Sequence, residues 1–258
     1  MTNRVTVIIP TFNRARYLAQ AIDSVLAQTL TDLDVVIVDD ASTDDTVAVM
    51  TRYANDTRVR YFRNERNFGI ARTRNRGIRQ STSPYIAFLD SDDIWLDRDK
   101  LERQLDAIAR IPGCALIGSD ATVIDSAGRA TGAIRNVCGN RSIRATIFVK
   151  NQFVLSSVLL PRSVLDEVGP FDETFPPVMI DYELWLRIMR THPVANLRQR
   201  TTGYRMHDSN ISINSHRDTL AGLRIVHTEF GKSFPLRWVL QLRMWREQLA
   251  LRREAGVQ

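Results

Sequence analysis

Acidic side chains cluster at two places where a short apolar run of the sequence ends. The segment "YIAFL" leads directly into "DSDD" (90–93), and "DVVIV" leads into Asp39 and Asp40. Like charges this close repel one another and raise the pKa of the carboxyl groups unless a positive group lies among them. Carboxylate oxygens are preferred ligands of Mg²⁺ and Mn²⁺, and an Asp-x-Asp spacing leaves coordination positions for diphosphate oxygens. The pattern therefore favours a divalent cation and an arginine as the groups that neutralise the cluster.

Several common nucleotide-binding motifs are absent from the sequence. It contains neither a Walker A loop nor a G-x-G-x-x-G loop, and it has no EF-hand spacing. Gly69 and Gly77 are too far apart to form a dinucleotide loop. These absences argue against a P-loop NTPase and against a nicotinamide-dependent enzyme.

Strands and helices are predicted to alternate along the first ~110 residues, which favours a parallel sheet covered by helices on both faces. In such a sheet the carboxyl ends of the strands line the binding crevice. Both acidic clusters are therefore expected to face one site, and the alternative is that these aspartates cap helices or form turns. We predict strands at 5–10, 34–40, 58–63 and 85–90, and helices at 14–28, from Ser42 or Thr43 to about Tyr53, and from about Ile70 to Gln80.

The second half of the chain is predicted to extend the same sheet rather than to form an independent domain. The segment "DYELWLRIMRT" has the spacing of an amphipathic helix, in which Glu183 and Arg187 can pair and Trp185 is expected in the core. We predict strands at 114–125 and 155–161, helices at about 141–150, 163–168 and 181–191, and a helical tail from about 215 to 254 with a break near 233–235.

The composition is that of an ordinary globular protein and excludes several classes. The formal net charge of +6 comes almost entirely from arginine, which is spread along the chain and forms no stripe suited to nucleic acid. Neither Cys114 nor Cys138 belongs to a C-x-x-C pair, which favours a reducing compartment. We find no signal-peptide pattern and no apolar run near the ~20 residues of a membrane span. We therefore expect a cytoplasmic protein with no nucleic-acid partner.

Seven segments occur in an order that is typical of one enzyme family, and they span residues 4–212. The sequence thereby resembles a family 2 glycosyltransferase of the GT-A fold. The resemblance implies a three-layer α/β/α sandwich with a mainly parallel central sheet and a helical C-terminal tail. The segments are "VIIPTFNR" (7–14), "VIVDDASTDDT" (36–46), "NFGIARTRNRGI" (67–78), "FLDSDD" (88–93), "SSVLLPRSVLDEVGPFDE" (156–173), "DYELWLR" (181–187) and "YRMHDSNIS" (204–212).

The same resemblance implies a division of the chain into functional parts. A GT-A domain is expected at 1–212, with a nucleotide-sugar-binding half at 1–112 and an acceptor-binding half at 113–212. A C-terminal helical extension follows at 213–258. The implied reaction moves a sugar from a nucleotide-diphosphate sugar to a hydroxyl of a glycan or lipid-linked acceptor, with inversion and with Mn²⁺ or Mg²⁺ as cofactor. Cell-surface polysaccharide or glycoconjugate assembly is the implied setting.

The nucleotide of the donor is suggested by hydrogen-bond chemistry. Uracil and thymine present an N3–H group that a carboxylate can accept, whereas cytosine lacks this donor. The resemblance implies that the first aspartate pair holds the nucleoside, and this chemistry agrees with a UDP- or dTDP-sugar as the expected donor, with Asp40 as the first choice for the base contact and Asp39 next. Asp90 is expected to hold ribose or to orient Arg74. The resemblance implies nucleotide-sugar contacts at Pro10, Thr11, Asn13, Asp39, Asp40, Gly69, Arg74, Asn75, Asp90, Ser91, Asp92 and His207, and metal contacts at Asp92, Asp93 and His207.

The catalytic base implied by the resemblance is Asp181, which opens the helix "DYELWLR". A carboxylate at a helix N-terminus stays ionised because the helix dipole favours negative charge there. The alternative is that Asp181 only caps the helix. Many relatives carry an acidic residue directly before this aspartate, where this chain has Ile180. Ser156 and Ser157 are expected either to line the acceptor side or to satisfy backbone groups.

Two questions stay open from the sequence. The segment 234–254 carries Trp238, Leu242, Trp245 and Leu249 at helical spacing among arginines. One expectation is that this helix packs on the domain or on a second subunit, as in a homodimer. The other is that it makes a peripheral contact with the inner face of an anionic membrane. The rival functions are nucleotidyl transfer, which also uses Asp-x-Asp, and a sugar-nucleotide-binding module without catalysis.

Overall fold

The computed structural model describes residues 4–208 and 215–254, so the last four residues of the motif at 204–212 lie outside it. Its first half alternates strands and helices as predicted from apolar spacing. Helix α2 starts later than expected because Asp44, rather than Ser42 or Thr43, accepts hydrogen bonds from the Thr46 backbone and hydroxyl. The elements are β1 (Val5–Thr11), α1 (Ala15–Leu26), β2 (Leu33–Asp39), α2 (Thr46–Thr51), β3 (Val59–Arg63), α3 (Ile70–Gln80) and β4 (Tyr85–Phe88).

The second half adds strands to the same sheet, as predicted. The predicted strand at 155–161 is reduced to its end, because residues 155–157 form a 3₁₀ turn in which the Ser157 amide bonds the Val154 carbonyl. The elements are β5 (Ile94–Trp95), α4 (Lys100–Arg110), β6 (Leu116–Ile124), β7 (Ala130–Ile134), α5 (Asn140–Thr146), β8 (Leu159–Pro161), α6 (Arg162–Val168), α7 (Ile180–Thr191), β9 (Val194–Arg205), α8 (His216–Phe230) and α9 (Arg237–Glu254).

One mixed sheet organises the described residues, in the order β3-β2-β1-β4-β8-β6-β9-β5, with β7 paired to β6. The first four strands are parallel. β8 runs antiparallel to β4 and β6, and β6 is again parallel to β9. The carboxyl ends of β1, β2 and β4 therefore meet at one edge of the sheet, beside the loops of the second half.

Two apolar layers cover the two faces of this sheet, because side chains alternate in direction along a strand. In β1, Ile8 packs into the layer that holds α3 and α7, whereas Val7 and Ile9 pack into the layer that holds α1 and α4. Trp185 is fully buried in the first of these layers, as the helical spacing of α7 predicted. The expectation of an α/β sandwich with a largely parallel sheet is thus confirmed. Within residues 4–208 and 215–254, no helix combines the length and hydropathy that a bilayer span requires.

Candidate active site

A cavity of about 650 Å³ lies at the carboxyl edge of the sheet, between the two halves of the chain. Its lining combines residues that follow β1, β2 and β4 with residues from the loop before β8 and the start of α7. Four predicted residues, Asn13, Asp39, Asn75 and His207, are not part of its wall. The predicted residues that line it are Pro10, Thr11, Asp40, Gly69, Arg74, Asp90, Ser91, Asp92, Asp93 and Asp181.

The two aspartates after β2 have different environments, because neighbouring side chains of an extended segment point in opposite directions. Asp40 lines the cavity, and its carboxylate accepts hydrogen bonds from Asn64 Nδ2 (2.7 Å) and from the amides of Phe68 (2.9 Å) and Gly69 (2.8 Å). These bonds use three of its lone pairs and leave one on Oδ2 for a ligand.

Asp39 is fully buried beneath the turn that follows β2. Its oxygens accept hydrogen bonds from the Ser42 amide (2.8 Å) and the Tyr61 hydroxyl (2.6 Å). Burial, followed by the bond to Asp39, raises the pKa of Tyr61 above its ordinary value. Asn13 lies nearby with a positive φ of 53°, and its Oδ1 accepts from the Thr43 amide (2.8 Å). Both side chains therefore shape the turn from behind the cavity wall.

Arg74 on α3 is the buried cation of the cavity. Its Nη2 lies 2.6 Å from Asp90 Oδ1, and its guanidinium lies 5.4 Å from the ring centre of Phe171. Within the described part of the chain, Arg74 Nε and Thr11 Oγ1 are buried atoms without a hydrogen-bond partner. Two unsatisfied polar atoms in one cavity wall are costly unless a ligand completes them.

The residue after Arg74 supports it from outside the cavity. Asn75 donates to the carbonyl of Phe171 (2.8 Å) and accepts from the amide of the same residue (3.0 Å). This pair of bonds fixes the loop that carries the ring beneath the Arg74 guanidinium. Gly77, one turn further along α3, lets the helix approach β1, since a Cβ there would lie 2.4 Å from a methyl carbon of Ile8.

Asp92 lies at the cavity wall among basic side chains. Its Oδ2 is 3.0 Å from His207 Nε2 and 3.4 Å from Arg14 Nε. The His207 ring stacks on Tyr17, with centroids 5.4 Å apart and planes inclined by 18°. His207 is therefore placed behind Asp92, where it can orient that carboxylate or share a ligand with it.

Asp93 faces inward and connects the acidic loop to the residues before β8 and to the end of β9. Its oxygens accept from the Ser156 hydroxyl (2.5 Å) and the Arg205 amide (2.8 Å), and the Asp90 amide donates to the Ser156 oxygen (3.1 Å). Burial, followed by the charges of Asp92 and Asp90, raises the pKa of Asp93 well above its ordinary value. Ser156 thus satisfies backbone and carboxylate groups of the acidic loop, which was one of its two predicted roles.

Both oxygens of Asp93 already accept hydrogen bonds, whereas Asp92 contacts His207 and Arg14 through Oδ2, so Asp92 Oδ1 is an acidic-loop oxygen that a cation could reach. Among residues 4–208 and 215–254, no three His, Cys, Asp or Glu side chains are arranged to hold a metal. An ion at Asp92 would therefore need diphosphate or water oxygens to complete its shell. Mg²⁺ and Mn²⁺ suit such a site because they bind through few protein carboxylates and share the substrate's phosphates.

Asp181 lies in the first turn of α7 and lines the end of the cavity away from β2. Its Oδ2 accepts from Asn151 Nδ2 (3.0 Å), and its Oδ1 accepts from the Tyr182 amide (2.7 Å). Burial raises the pKa of Asp181 above 3.8, while the positive charge of Arg74 opposes this shift. A half-buried carboxylate with a raised pKa is a stronger proton acceptor than an exposed one.

Of the side chains near Asp181 on α7 and the neighbouring loops, the sequence predicted a contact only for the pair of Glu183 and Arg187. Ile180 is packed into the apolar core, so it makes no polar contact with a ligand in the cavity. The predicted pair of Glu183 and Arg187 forms, with 2.6 Å between Oε1 and Nε. Sequence patterns gave no signal for Asn151, which lies on an irregular loop thirty residues earlier. Phe153, Val154, Leu155, Pro177 and Val178 also line this end of the cavity.

Comparison with known proteins identifies relatives along most of the chain. The family described as Glycosyl transferase family 2 matches residues 6–168. A relative from Escherichia coli, UDP-Glc:alpha-D-GlcNAc-diphosphoundecaprenol beta-1,3-glucosyltransferase WfgD, is 29% identical over 218 residues, which cover 83% of this chain and 81% of the relative. Several other curated relatives are longer, and the chain spans only about a third of their length (27–32%).

Solved structures of the same fold include enzymes with bound nucleotides. S. aureus TarS (residues 1–349) superposes with a TM-score of 0.71 at 19% identity, covering 99% of this chain and 74% of the TarS chain. The same TarS fragment has also been solved with UDP-GlcNAc. The mannosyltransferase PcManGT from Pyrobaculum calidifontis, solved with GDP-Man and Mn²⁺, gives a TM-score of 0.63 at 19% identity, with 100% of this chain and 76% of PcManGT covered. The fold is therefore that of the GT-A glycosyltransferases.

Proposed function

The chain belongs to glycosyltransferase family 2, and from this premise we propose that it transfers a sugar, with inversion, from a UDP- or dTDP-sugar to a hydroxyl of a glycan or lipid-linked acceptor. The match to the family spans more than half of the chain, which supports nucleotide-sugar-dependent transfer as its activity. The choice of base, donor and acceptor is our proposal. It is supported by the site described above and by the relatives' own activities.

One observation carries this proposal: a single cavity is lined both by groups suited to a nucleotide diphosphate and by Asp181, a carboxylate that forms no ion pair within the described residues. Arg74 Nε and Thr11 Oγ1 have no hydrogen-bond partner within the described residues. We assign them to the donor end of the cavity, where a diphosphate or ribose could complete their hydrogen bonds. Asp181 lines the same cavity, and within the described residues one side-chain hydrogen bond, from Asn151, holds it. We propose that it acts on the side of the anomeric carbon opposite the leaving diphosphate, as inverting transfer requires.

In the proposed reaction, the donor end binds and orients the nucleotide. Asp40 accepts the N3–H of uracil or thymine through its remaining lone pair on Oδ2, and the Phe68 and Gly69 amides hold that carboxylate in place. The Arg74 guanidinium, already paired with Asp90, donates through Nε to the diphosphate. A buried guanidinium also stabilises the charge that develops on the diphosphate as it leaves.

At the acceptor end, Asp181 removes the proton from the attacking hydroxyl. The oxygen of that hydroxyl forms a bond to the anomeric carbon, while the bond from that carbon to the diphosphate oxygen breaks. The diphosphate leaves with the bonding electrons, and the configuration at the anomeric carbon is inverted. The raised pKa of Asp181, caused by burial, suits a general base because it strengthens the carboxylate as a proton acceptor.

A divalent cation is part of the proposal. Asp92, with His207 behind it, would hold Mn²⁺ or Mg²⁺ at the donor end. When bound, such an ion supplies positive charge to the departing diphosphate. Asp93 is proposed to support this site by fixing the acidic loop through Ser156 and the Arg205 amide.

The division into a donor half (1–112), an acceptor half (113–212) and a helical extension (213–258) remains a proposal as well. The cavity lies where the first two of these segments meet, which supports the division. We also propose a role in cell-surface polysaccharide or glycoconjugate assembly in the cytoplasm, at or near the inner face of the membrane. Support comes from WfgD, whose name places its acceptor on a diphosphoundecaprenol carrier.

The first experiment is a donor screen with the purified protein and Mn²⁺. UDP-, dTDP-, GDP- and CMP-sugars are incubated separately, and slow release of free nucleotide is measured. We expect release from one or two uridine or thymidine donors, and loss of release with EDTA or in Asp92→Ala. Asp106→Asn, which changes an exposed carboxylate on α4, is the control and should behave as wild type. If neither turnover nor calorimetric binding of UDP, dTDP or GDP is seen with Mn²⁺, the proposal is wrong.

The same preparation separates the rival functions. In a transferase, Asp181→Asn should abolish sugar transfer while nucleotide binding persists. A binding module without catalysis would show no turnover in either protein. A nucleotidyltransferase would release pyrophosphate from a nucleoside triphosphate, which a separate pyrophosphate assay with UTP and a sugar phosphate detects.

A further inference from the structure

Helix α9 carries an apolar stripe that no described residue covers. Trp238, Leu242 and Trp245 are 58%, 50% and 57% exposed. Their spacing of four and three residues places them on one side of the helix, and Leu249, four residues further on, continues the stripe. An exposed stripe with two tryptophans is unusual on a monomeric surface, where large apolar side chains normally occur singly.

The opposite side of α9 attaches the helix to the domain. Leu240 is fully buried, and Val239 and Met244 pack against the same apolar layer as α7. The helix therefore has two apolar sides, of which only one is needed for its own packing. The outward stripe leaves more than half of each tryptophan exposed, although Trp245 also borders a hollow beside α8, so most of its apolar surface has no cover among the described residues.

The charges beside the stripe indicate the kind of partner. Helix α9 contains five arginines and two glutamates, Glu247 and Glu254. Glu247 is hydrogen-bonded to His216 of α8 (2.7 Å) on the inward side. Arg246, Arg252 and Arg253 are exposed, and at helical spacing they flank the stripe.

We propose that the outward stripe of α9 docks on an anionic lipid membrane. Tryptophan suits the boundary between headgroups and acyl chains, and exposed arginines beside it attract anionic headgroups. A second copy of the chain is disfavoured, because a twofold contact through this stripe would bring the arginine rims of two helices together. The proposal stands on the surface alone and does not require the function proposed above.

The contacts that attach α9 to the domain lie close to the residues that precede and follow Asp181. Arg243 donates to the Phe148 carbonyl (3.2 Å), and its guanidinium lies 5.7 Å from the ring centre of Tyr182, the residue after Asp181. Helix α8, on which α9 packs, contacts Met179 at the start of α7, where a Cβ on Gly222 would come within 2.7 Å of the Met179 sulfur. The stripe is therefore anchored to the acceptor end of the molecule.

Sedimentation with vesicles tests the proposal directly. Full-length protein is mixed with phosphatidylcholine vesicles that contain either no anionic lipid or about one third phosphatidylglycerol, and the bound fraction is measured. We expect binding to the anionic vesicles and at least tenfold weaker binding to the neutral ones. Arg246→Gln and Arg252→Gln should each weaken binding about fivefold, as the loss of one surface charge implies.

Tryptophan fluorescence locates the contact. The chain has four tryptophans, of which Trp95 and Trp185 are buried and the other two belong to the stripe. Brominated lipids should therefore quench part of the emission, and that quenching should vanish in Trp238→Phe/Trp245→Phe while binding persists. Trp238→Ser/Trp245→Ser should lose at least tenfold in vesicle binding. Val47→Ser, which removes a comparably exposed apolar side chain on α2, is the control and should bind as wild type.

Three results would overturn the proposal. The first is no preference for anionic vesicles at low salt. The second is vesicle binding that Trp238→Ser/Trp245→Ser leaves unchanged, since another surface would then be responsible. The third is a dimer in analytical ultracentrifugation that the same double variant converts to monomer in the absence of lipid. A circular dichroism spectrum that matches wild type shows that each variant is folded.

Discussion

The two ends of the cavity hold their carboxylates in different ways. At the donor end, Asp90 pairs with Arg74, Asp92 with His207 and Arg14, and Asp93 with Ser156. At the acceptor end, Asp181 has one amide side chain and one backbone amide as partners. The donor end is thus a network of directly paired charges, whereas Asp181 forms no ion pair within the described residues and is compensated by two hydrogen bonds and by the charge of Arg74.

This difference corresponds to two kinds of chemistry. Binding a diphosphate requires several positive groups and hydrogen-bond donors that are already fixed in place. Such groups lose little free energy when the ligand replaces one of the carboxylates that they contact. Accepting a proton requires a carboxylate whose charge is not fully satisfied, because each hydrogen bond to it lowers its proton affinity. Sparse support of Asp181 is therefore what a general base needs, and dense support of the acidic loop is what an ion and a diphosphate need.

The largest expected effect tests the role of the solitary carboxylate. Asp181→Asn should lower kcat by about 10² to 10⁴, the usual contribution of a general base, and change donor affinity by less than about twofold. The amide keeps the shape of the side chain but cannot accept a proton. The measurement is steady-state transfer to the acceptor, together with calorimetry of the donor nucleotide.

A matched change elsewhere sharpens this result. Asp166→Asn on α6 alters an exposed carboxylate that lies 3.9 Å from Arg162, and it should retain wild-type kcat. If Asp181→Asn instead weakened donor binding and left kcat intact, Asp181 would belong to the binding network, and the contrast between the two ends would be lost.

The next effect concerns the donor end. Arg74→Lys keeps the positive charge beside Asp90 but removes Nε, the buried donor that we propose the diphosphate completes. Donor affinity should fall about tenfold to a hundredfold, the range expected for losing a hydrogen bond to a charged group. Calorimetric titration with the nucleotide diphosphate measures it. Arg79→Lys, an exposed position on the same helix, is the control, and equal affinities in the two variants would contradict the assignment.

The third effect tests whether Asn151 positions the base. Its Oδ1 accepts from the Phe153 amide (3.1 Å), which fixes the direction of Nδ2 toward Asp181. This bond lowers the pKa of Asp181, so its removal should raise that pKa further. Because the base acts in its ionised form, the acid limb of the kcat–pH profile in Asn151→Ala should move to higher pH, with a loss of about tenfold in kcat at neutral pH.

A structural role alone would give a different pattern. If Asn151 only shaped the pocket, kcat would fall while the acid limb stayed at its wild-type pH. Asn140→Ala serves as the comparison, because Asn140 Oδ1 also accepts from a backbone amide, that of Val194 (3.2 Å), and does not line the cavity. That variant should leave the position of the acid limb unchanged.

The donor end was largely predictable from the sequence, for a physical reason. Its acidic residues follow short apolar strands, and parallel strands bring their carboxyl ends to one edge of a sheet. Which side chains face the cavity was harder to predict. Asp39 and Asp40 are adjacent, yet only Asp40 lines the wall, since Asp39 is turned toward the Ser42 amide and Tyr61.

The acceptor end could not be predicted to the same degree. Asp181 was found because it opens an amphipathic helix within a family segment, but Asn151 lies on a loop without periodicity. The sequence left two roles open for Ser156, because a hydroxyl can either line a pocket or satisfy backbone groups. Its contacts with Asp93 and the Asp90 amide depend on β8 pairing beside β4, a topology that local sequence does not encode.

The smallest expected effect is on stability, and it follows from the sparse support of Asp181. Burial raises the pKa of this carboxyl in the folded state above 3.8, so the folded protein binds its proton more tightly than the unfolded chain. Stability is therefore lost as pH rises from about 3.8 through the folded-state pKa, and the loss is complete above it. Asp181→Asn carries no such ionisation penalty, because its amide is neutral, although its single oxygen can accept only one of the two bonds from Asn151 and the Tyr182 amide. At pH 7.5 its melting temperature should exceed that of wild type by a few degrees, and the gap should narrow toward pH 4.5. Calorimetric scans at both pH values measure this, and a variant less stable than wild type at pH 7.5 would mean that the carboxylate is well compensated after all.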